Sequence, residues 1–220
     1  ELWVKPLYTA GDPKIGSEHI PILGNMPWDE WAHSPGFCIY GNSYFWGVTV
    51  GDRRDVVKAD HKVTLQPGRW SHLCFTYQSS TATLALYTDG VPGPKVQRPG
   101  LGPVEARNSL YFGQEPGQAF CANRDIVTLC LSNVRMWSAC RSPDQIVECM
   151  NYLYQEGPTG WDPNLIASWP MGETVGDRKV TEDWTDHEYH ITFNARPPVR
   201  PGPTLRTLDP PGMPYGVAAV

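Results

Sequence analysis

The chain has 220 residues with 18 basic and 23 acidic side chains, and its formal net charge is −5 at pH 7. The basic residues are scattered, with no run longer than Arg53-Arg54, which excludes the basic patch of a nucleic-acid-binding protein. Apolar stretches stay far shorter than the roughly 20 residues that a membrane-spanning helix needs, and glycine and proline together make up about a fifth of the chain.

Strand-like segments bounded by turn residues follow one another at short intervals, which is typical of an all-β sandwich. Along 83–88, Leu84 and Leu86 alternate with smaller or polar residues, so both should lie on one face of a strand that ends in an Asp89-Gly90 turn. The predicted strands are 2–7, 20–23, 37–40, 44–50, 56–63, 72–77, 83–88, 109–112, 126–136, 166–169 and 190–193.

One short helix is predicted over 143–154. Ser142 is a suitable N-cap, Pro143 suits the first helical position, and Gln145 completes a capping box. Apolar residues follow at helical spacing and should pack on the sandwich: Ile146, Val147, Met150 and Leu153.

The chain is predicted to divide into a sandwich over 1–195 and a proline-rich tail over 196–220. The tail contains seven prolines, so we expect an extended, polyproline-like segment that does not form a regular strand ladder. Such a tail is either a linker or an arm wrapped over the domain.

Cysteine usage favours disulfide bonds over six thiols packed as small apolar residues. The number is even, and the spacings match neither a CxxC pair nor a zinc site. The candidates are Cys38, Cys74, Cys121, Cys130, Cys140 and Cys149, and their connectivity stays open.

The loop at 25–35 is the most suggestive segment outside the predicted core. Trp28, Asp29, Glu30, Trp31 and His33 form an amphipathic cluster there, and tryptophan is enriched at binding hot spots. The cluster is either a ligand contact site or a lid over an open end of the sandwich. A second acidic run, 182–188 with His187, is interpreted as a solvated loop.

Several segments, taken in order, resemble the pentraxins. They are 68–77 with its Trp-Ser-His-Leu-Cys core, the hairpin 83–93, Leu110 to Glu115, Leu131 to Trp137 with Ser142 to Ile146, and Leu165 to Trp169. The resemblance covers roughly 37–190 and implies a jelly roll of two antiparallel sheets, as in secreted recognition proteins and adhesion-receptor ectodomains. It also implies that Glu1 occupies the place of the family cysteine that bridges to the position of Cys74.

The calcium ligands of the pentraxins are largely absent at the matching positions. The family's Asp-Asn pair falls on Ser34 and Pro35, its acidic loop becomes Gln114-Glu115-Pro116-Gly117, and later ligand positions fall near Cys121 and Arg124. Only Glu115 remains, and one carboxylate cannot supply the several oxygens that Ca²⁺ takes. We therefore expect no metal and no cofactor.

These observations predict an extracellular, calcium-independent recognition or adhesion module that binds a protein or glycan through end loops. Two alternatives remain: a structural or oligomerising ectodomain, and a glycan-active enzyme, although no strand carries the alternating carboxylates of such enzymes. Expected partners are a protein or glycan ligand, but no nucleic acid, and either a second copy of the chain or a second processed chain. The second processed chain is expected because the resembling family has residues before the position of Glu1, unless the proline-rich tail covers the edge that they would pair with.

Overall fold

The computed structural model describes residues 1–7, 20–26, 35–42, 44–52, 55–105, 108–113, 129–153, 162–171, 180–181, 183–189, 191–192, 199–201, 206–207 and 216–219. Within these ranges the chain forms eighteen strands and one α-helix. In chain order they are β1 (Leu2–Pro6), β2 (Ile20–Gly24), β3 (Gly36–Gly41), β4 (Trp46–Asp52), β5 (Asp55–His61), β6 (Ser71–Gln78), β7 (Thr83–Thr88), β8 (Val91–Gln97), β9 (Tyr111–Phe112), β10 (Leu129–Ser132), β11 (Val134–Trp137), α1 (Pro143–Cys149), β12 (Tyr152–Leu153), β13 (Leu165–Trp169), β14 (Val180–Thr181), β15 (Ile191–Thr192), β16 (Val199–Pro201), β17 (Arg206–Thr207) and β18 (Gly216–Ala219).

Two antiparallel sheets form the sandwich that the sequence predicts. One has the order β16-β18-β10-β1-β6-β7-β8, and the other has the order β5-β4-β3-β2-β9. A large apolar cluster that includes Leu2, Ile39, Trp46, Leu84 and Leu86 is buried with members from both sheets. The two leucines of β7 are fully buried on one face, as the alternation predicts.

The other face of β7 is also covered. Ala85 and Tyr87 pack there with Cys74 and Ile146, the buried residue of α1. The helix therefore lies on the outer face of the seven-stranded sheet and supplies a second, smaller apolar cluster.

The helix begins as predicted but ends at Cys149 rather than at residue 154. Its capping box is present: Gln145 N–H donates to Ser142 Oγ (3.2 Å) and Ser142 N–H donates to Gln145 Oε1 (2.9 Å). Beyond the helix, Met150 and Tyr152 carbonyls accept from the side chains of Trp3 and Asn133. These tertiary bonds and the β12–β17 pairing replace further helical turns. The predicted packing face is also wrong at Val147, which is half exposed.

The predicted strand 126–136 is divided where the structure describes it. Asn133, with φ +46°, separates β10 from β11, and β11 pairs with β13 in a separate two-stranded sheet. The tail also differs from the expected extended segment, because β18 pairs with β10 and β16 pairs with β18. The segment 216–219 contains no proline, so every residue has the N–H that a ladder needs.

The predicted disulfides are not formed by Cys38, Cys74, Cys130, Cys140 and Cys149, which carry thiols; Cys121 lies outside the described residues. Three buried cysteines pack in three different apolar clusters, which separates them from one another. Cys38 packs with Met26 and Tyr40, Cys74 with Tyr87 and Ile146, and Cys130 with Leu7 and Trp70. They act as small apolar residues, the alternative to disulfides that the sequence left open.

Candidate functional site

The suggestive loop connects β2 to β3 at one end of the sandwich. Its cluster of Trp28, Asp29, Glu30, Trp31 and His33 lies outside the described residues. The residues that begin and end the loop are described, and they form what we call the loop base: Asn25, Gly36 and Phe37.

The loop base joins the two ends of the loop by bonds in both directions. The Asn25 and Met26 N–H groups donate to the Phe37 carbonyl at 2.9 and 3.3 Å. In return, the Phe37 N–H donates to Asn25 Oδ1 at 2.8 Å. Asn25 is 4% exposed, and its own carbonyl accepts from Asn108 Nδ2. The loop thus leaves and re-enters the sheet at a buried and fully bonded point.

Gly36 is required at this point for two separate reasons. Its φ of +151° is one that residues with a side chain rarely adopt, and a Cβ there would overlap the Asn25 side chain, 2.7 Å from Cγ. Asn25 and Gly36 were not predicted from the sequence as parts of the site. The sequence signal for them is a glycine directly before a strand, preceded eleven residues earlier by an asparagine at the end of another strand.

A cavity of about 230 Å³ lies between the sheets beside the loop base. Phe37 contributes to both, because its backbone bonds to Asn25 and its ring packs 5.3 Å from that of Phe75. The apolar side chains around the cavity include Leu23, Phe37, Ile39, Phe75, Tyr77 and Met136. Glu1, Thr76, Arg135 and Arg141 supply polar groups to its wall.

Buried charges meet at one wall of this cavity. Glu1 Oε1 lies 3.2 Å from Arg135 Nε and accepts from Trp137 Nε1 at 2.8 Å, and Glu1 Oε2 lies 3.5 Å from His72 Nε2. The side chains of Glu1, His72 and Arg135 are fully buried. Both guanidinium Nη atoms of Arg135 donate to the Cys149 carbonyl, which ties this group to the end of α1.

The electrostatic environment of this group favours a charged Glu1 and a neutral His72. Burial by itself would raise the pKa of Glu1, but Arg135 and His72 outweigh it and hold the pKa far below its usual range. Burial lowers the pKa of His72, against the opposing effect of Glu1. Burial also raises the pKa of the neighbouring Cys74 thiol to about 12. This thiol is therefore a poor nucleophile at neutral pH.

The acidic run near His187 is more ordered than the predicted solvated loop. Asp183 is 6% exposed, and its carboxylate accepts from the backbone N–H groups of Ser168, Thr185 and Tyr189. Asp186 and Glu188 are exposed, as expected, and Glu182 lies outside the described residues. Asp183 is therefore a structural anchor for the turn rather than a surface charge.

The positions that resemble pentraxin calcium ligands lie mostly outside the described residues, including Ser34, Glu115, Cys121 and Arg124. Across the ranges given above, no group of three His, Cys, Asp or Glu side chains is placed to hold a metal ion. No helix in those ranges is long and apolar enough to cross a membrane.

The fold is shared with a known superfamily. The family model Laminin_G_3, of the concanavalin A-like lectin/glucanases superfamily, matches residues 1–147. No curated protein matches the chain in sequence.

Solved structures are similar at low sequence identity. A candidate carbohydrate-binding protein from Bacteroides ovatus is 17% identical with a TM-score of 0.58, covering 88% of this chain and 53% of that one. The receptor-binding domain of botulinum neurotoxin mosaic serotype C/D is 15% identical with a TM-score of 0.52, covering 67% and 34%. A SAP-like pentraxin from Limulus polyphemus is 14% identical with a TM-score of 0.45, covering 66% and 65%. The chain thus spans about half the length of the first of these structures and a third of the second.

Proposed function

The chain belongs to the concanavalin A-like lectin/glucanases superfamily, and we propose that it is an extracellular recognition module that binds a protein or glycan ligand through the β2–β3 loop without calcium. The observation that supports this proposal most directly is the hydrogen-bonded loop base. A loop that closes on a buried asparagine can present a fixed surface, and binding loops on β scaffolds commonly work in this way.

The composition of the loop supports recognition. Two tryptophans supply large contact area at low conformational cost, and neighbouring carboxylates can accept hydrogen bonds from sugar hydroxyls or from peptide groups. The described similar structures include a candidate carbohydrate-binding protein and a receptor-binding domain, which agrees with this class of function.

Calcium independence rests on the ligand positions of the resembling family. Glu115 is the one acidic side chain retained at those positions, and Arg124 adds a positive charge near them. A cation that takes six to eight oxygen ligands is not held by such a set.

Binding to immobilised glycans and to a panel of extracellular-matrix proteins tests the proposal, in calcium and again in EGTA. The double variant Trp28→Ala/Trp31→Ala should lose at least about tenfold in affinity, which is about 1.4 kcal/mol. Tyr44→Ala is the matched control, because Tyr44 is 65% exposed in the β3–β4 turn at the opposite end of β3. A loss in EGTA, an equal loss in the control, or turnover of any glycan would contradict the proposed function.

A further inference from the structure

A second cavity, which we call the end pocket, lies between the β6–β7 turn and the segment that follows β8. Its volume is about 400 Å³, and it is lined by 79–82 from the turn and by Gln97 and 99–102 from the other side. Small-molecule sites commonly have volumes of about 300–1,000 Å³. None of the residues that line the end pocket has a charged side chain.

The end pocket and the loop base lie at the same end of the sandwich. Gly36 of the loop base pairs with Gly51, next to the turn that leads into β5 at Asp55. Asp55 Oδ1 accepts from Arg98 Nη2 at 3.3 Å, and the Arg98 N–H donates to the Ala82 carbonyl in the β6–β7 turn at 3.0 Å. The strands β4 and β5 therefore connect the loop base to the end pocket.

Both walls of the end pocket are held in place by side chains. The Tyr77 hydroxyl donates to the carbonyls of Leu101 and Gly102, at 2.9 and 2.7 Å. The Leu101 side chain is buried in the main core cluster. Gln97 Nε2 donates to the Thr81 carbonyl at 2.8 Å, which joins the two walls. Because these bonds exist without a ligand, binding need not order the walls, and this lowers its entropic cost.

Polar groups remain available on both walls. The hydroxyls of Ser79 and Ser80 and the N–H groups of Gly100 and Gly102 have no hydrogen-bond partner in the part of the chain that the structure describes. Both serines are exposed. A hydroxyl donates and accepts, and a backbone N–H donates, so the walls suit a ligand that carries several uncharged oxygen groups.

Gly102 keeps the end pocket open, although the fold does not require a glycine there. Its φ is not in the left-handed region, and a Cβ added to it would meet no atom within 4 Å. Gly100 differs, because its φ of +94° favours glycine. A side chain at 102 would enter the open space of the pocket, whereas glycine lets a ligand approach the backbone closely.

We propose that the end pocket binds one sugar unit of a neutral glycan, through the serine hydroxyls of the β6–β7 turn and the backbone of 100–102. The hydroxyl groups of a sugar complement these donors and acceptors. A sulfated or carboxylated sugar gains no charge-assisted bond there, because the walls carry no cation. The inference rests on the proposed recognition function, and it narrows the ligand of that function to an uncharged glycan that contacts both the β2–β3 loop and the end pocket.

The probes are neutral tetrasaccharides of glucose, galactose, mannose and N-acetylglucosamine, each titrated into the full chain and followed by amide NMR signals. At least one of them should shift the signals of 79–82 and 100–102. A sulfated heparin tetrasaccharide should leave these signals unchanged. If none of the neutral probes shifts them, or if the sulfated probe does, the inference is wrong.

A variant that fills the end pocket tests the same site by affinity. Gly102→Leu should weaken binding of the neutral probe by at least about tenfold, while the melting temperature changes by less than about 2 °C. Gln66→Leu is the matched control, because it adds the same side chain at an exposed position that precedes β6, away from the pocket. Unchanged affinity in Gly102→Leu, or an equal loss in Gln66→Leu, would contradict the inference.

The Trp28→Ala/Trp31→Ala variant separates this inference from the proposed loop function. A loss of affinity in both this variant and Gly102→Leu supports both. A loss in the tryptophan variant alone overturns the end pocket and leaves the loop function standing. A loss in Gly102→Leu alone supports the end pocket and means that the loop is not the contact site.

Discussion

Replacing Gly36 by alanine tests whether the loop base is a rigid support for the β2–β3 loop. The backbone at φ +151° becomes strained with a side chain, which costs about 1–3 kcal/mol. The new Cβ also displaces the Asn25 side chain, and loss of its buried bond to the Phe37 N–H costs about 0.5–1.5 kcal/mol. The expected loss of unfolding free energy is therefore about 1.5–4.5 kcal/mol.

Alanine substitutions at two other glycines are controls that separate the cost of backbone strain from the cost of steric overlap. Gly100 has φ +94° but no atom within 4 Å of an added Cβ, so Gly100→Ala should show the strain alone. Gly102 has open space and no unusual φ, so Gly102→Ala should change the stability by less than about 0.5 kcal/mol. Urea unfolding followed by tryptophan fluorescence measures all three variants.

A double-mutant cycle with Asn25→Ala completes the test. If overlap with Asn25 causes the loss of stability in Gly36→Ala, the two substitutions together should reduce the free energy of unfolding by clearly less than the sum of their separate effects. Additive costs, or a Gly36→Ala midpoint equal to that of Gly100→Ala, would refute the reasoning.

Three further predictions concern the buried charges and the helix. Arg135→Met leaves the Glu1 carboxylate buried without its cation, so we expect a loss of about 3–5 kcal/mol in urea unfolding, against less than about 1 kcal/mol for Arg98→Met in an exposed ion pair. The pKa values of Glu1 and His72 are both lower in the folded state than in the unfolded chain, so the unfolded chain binds protons at the higher pH. The free energy of unfolding should therefore be greatest above about pH 6.5, decrease below that pH as His72 of the unfolded chain is protonated, and decrease further below about pH 4.5 as Glu1 is protonated. Melting curves across this pH range measure the effect. Ser142→Ala removes the N-cap of α1 and should cost about 1 kcal/mol, whereas an unchanged urea midpoint would mean that the helix is held by packing alone.

Local signals in the sequence were sufficient for much of the fold. The alternation of Leu84 and Leu86 predicted β7 with its correct bounds, and Ser142 with Gln145 predicted the start of α1. The end of α1 could not be predicted in this way, because the carbonyl of Met150 is taken by Trp3, which is 147 residues away in the chain. The β8 strand was missed as a separate element because Pro92 and Pro94 mask its pattern, although an edge strand tolerates them.

The candidate site shows the same division between local and long-range causes. The aromatic and acidic composition of the loop is visible in the sequence, whereas the support of that loop depends on Asn25 meeting Phe37 across a strand pair. For Asp183, by contrast, the composition of the sequence was misleading, because the acidic run was interpreted as a solvated loop and this carboxylate is buried. An acidic run indicates a solvated loop on average, but three backbone N–H groups converge on this carboxylate and compensate its burial.

The position of Glu1 connects the resemblance to the physics of the fold. The register that pairs Leu2 with Leu73 brings Glu1 opposite Cys74, which is where the resembling family has its bridging cysteine. The residue in that place here is a carboxylate that accepts a hydrogen bond from Trp137 and forms a buried ion pair with Arg135 of β11. A buried ion pair adds little net stability compared with apolar packing, but it penalises any arrangement that separates its partners. The pair therefore favours the alignment of β1 with β11 that the structure shows.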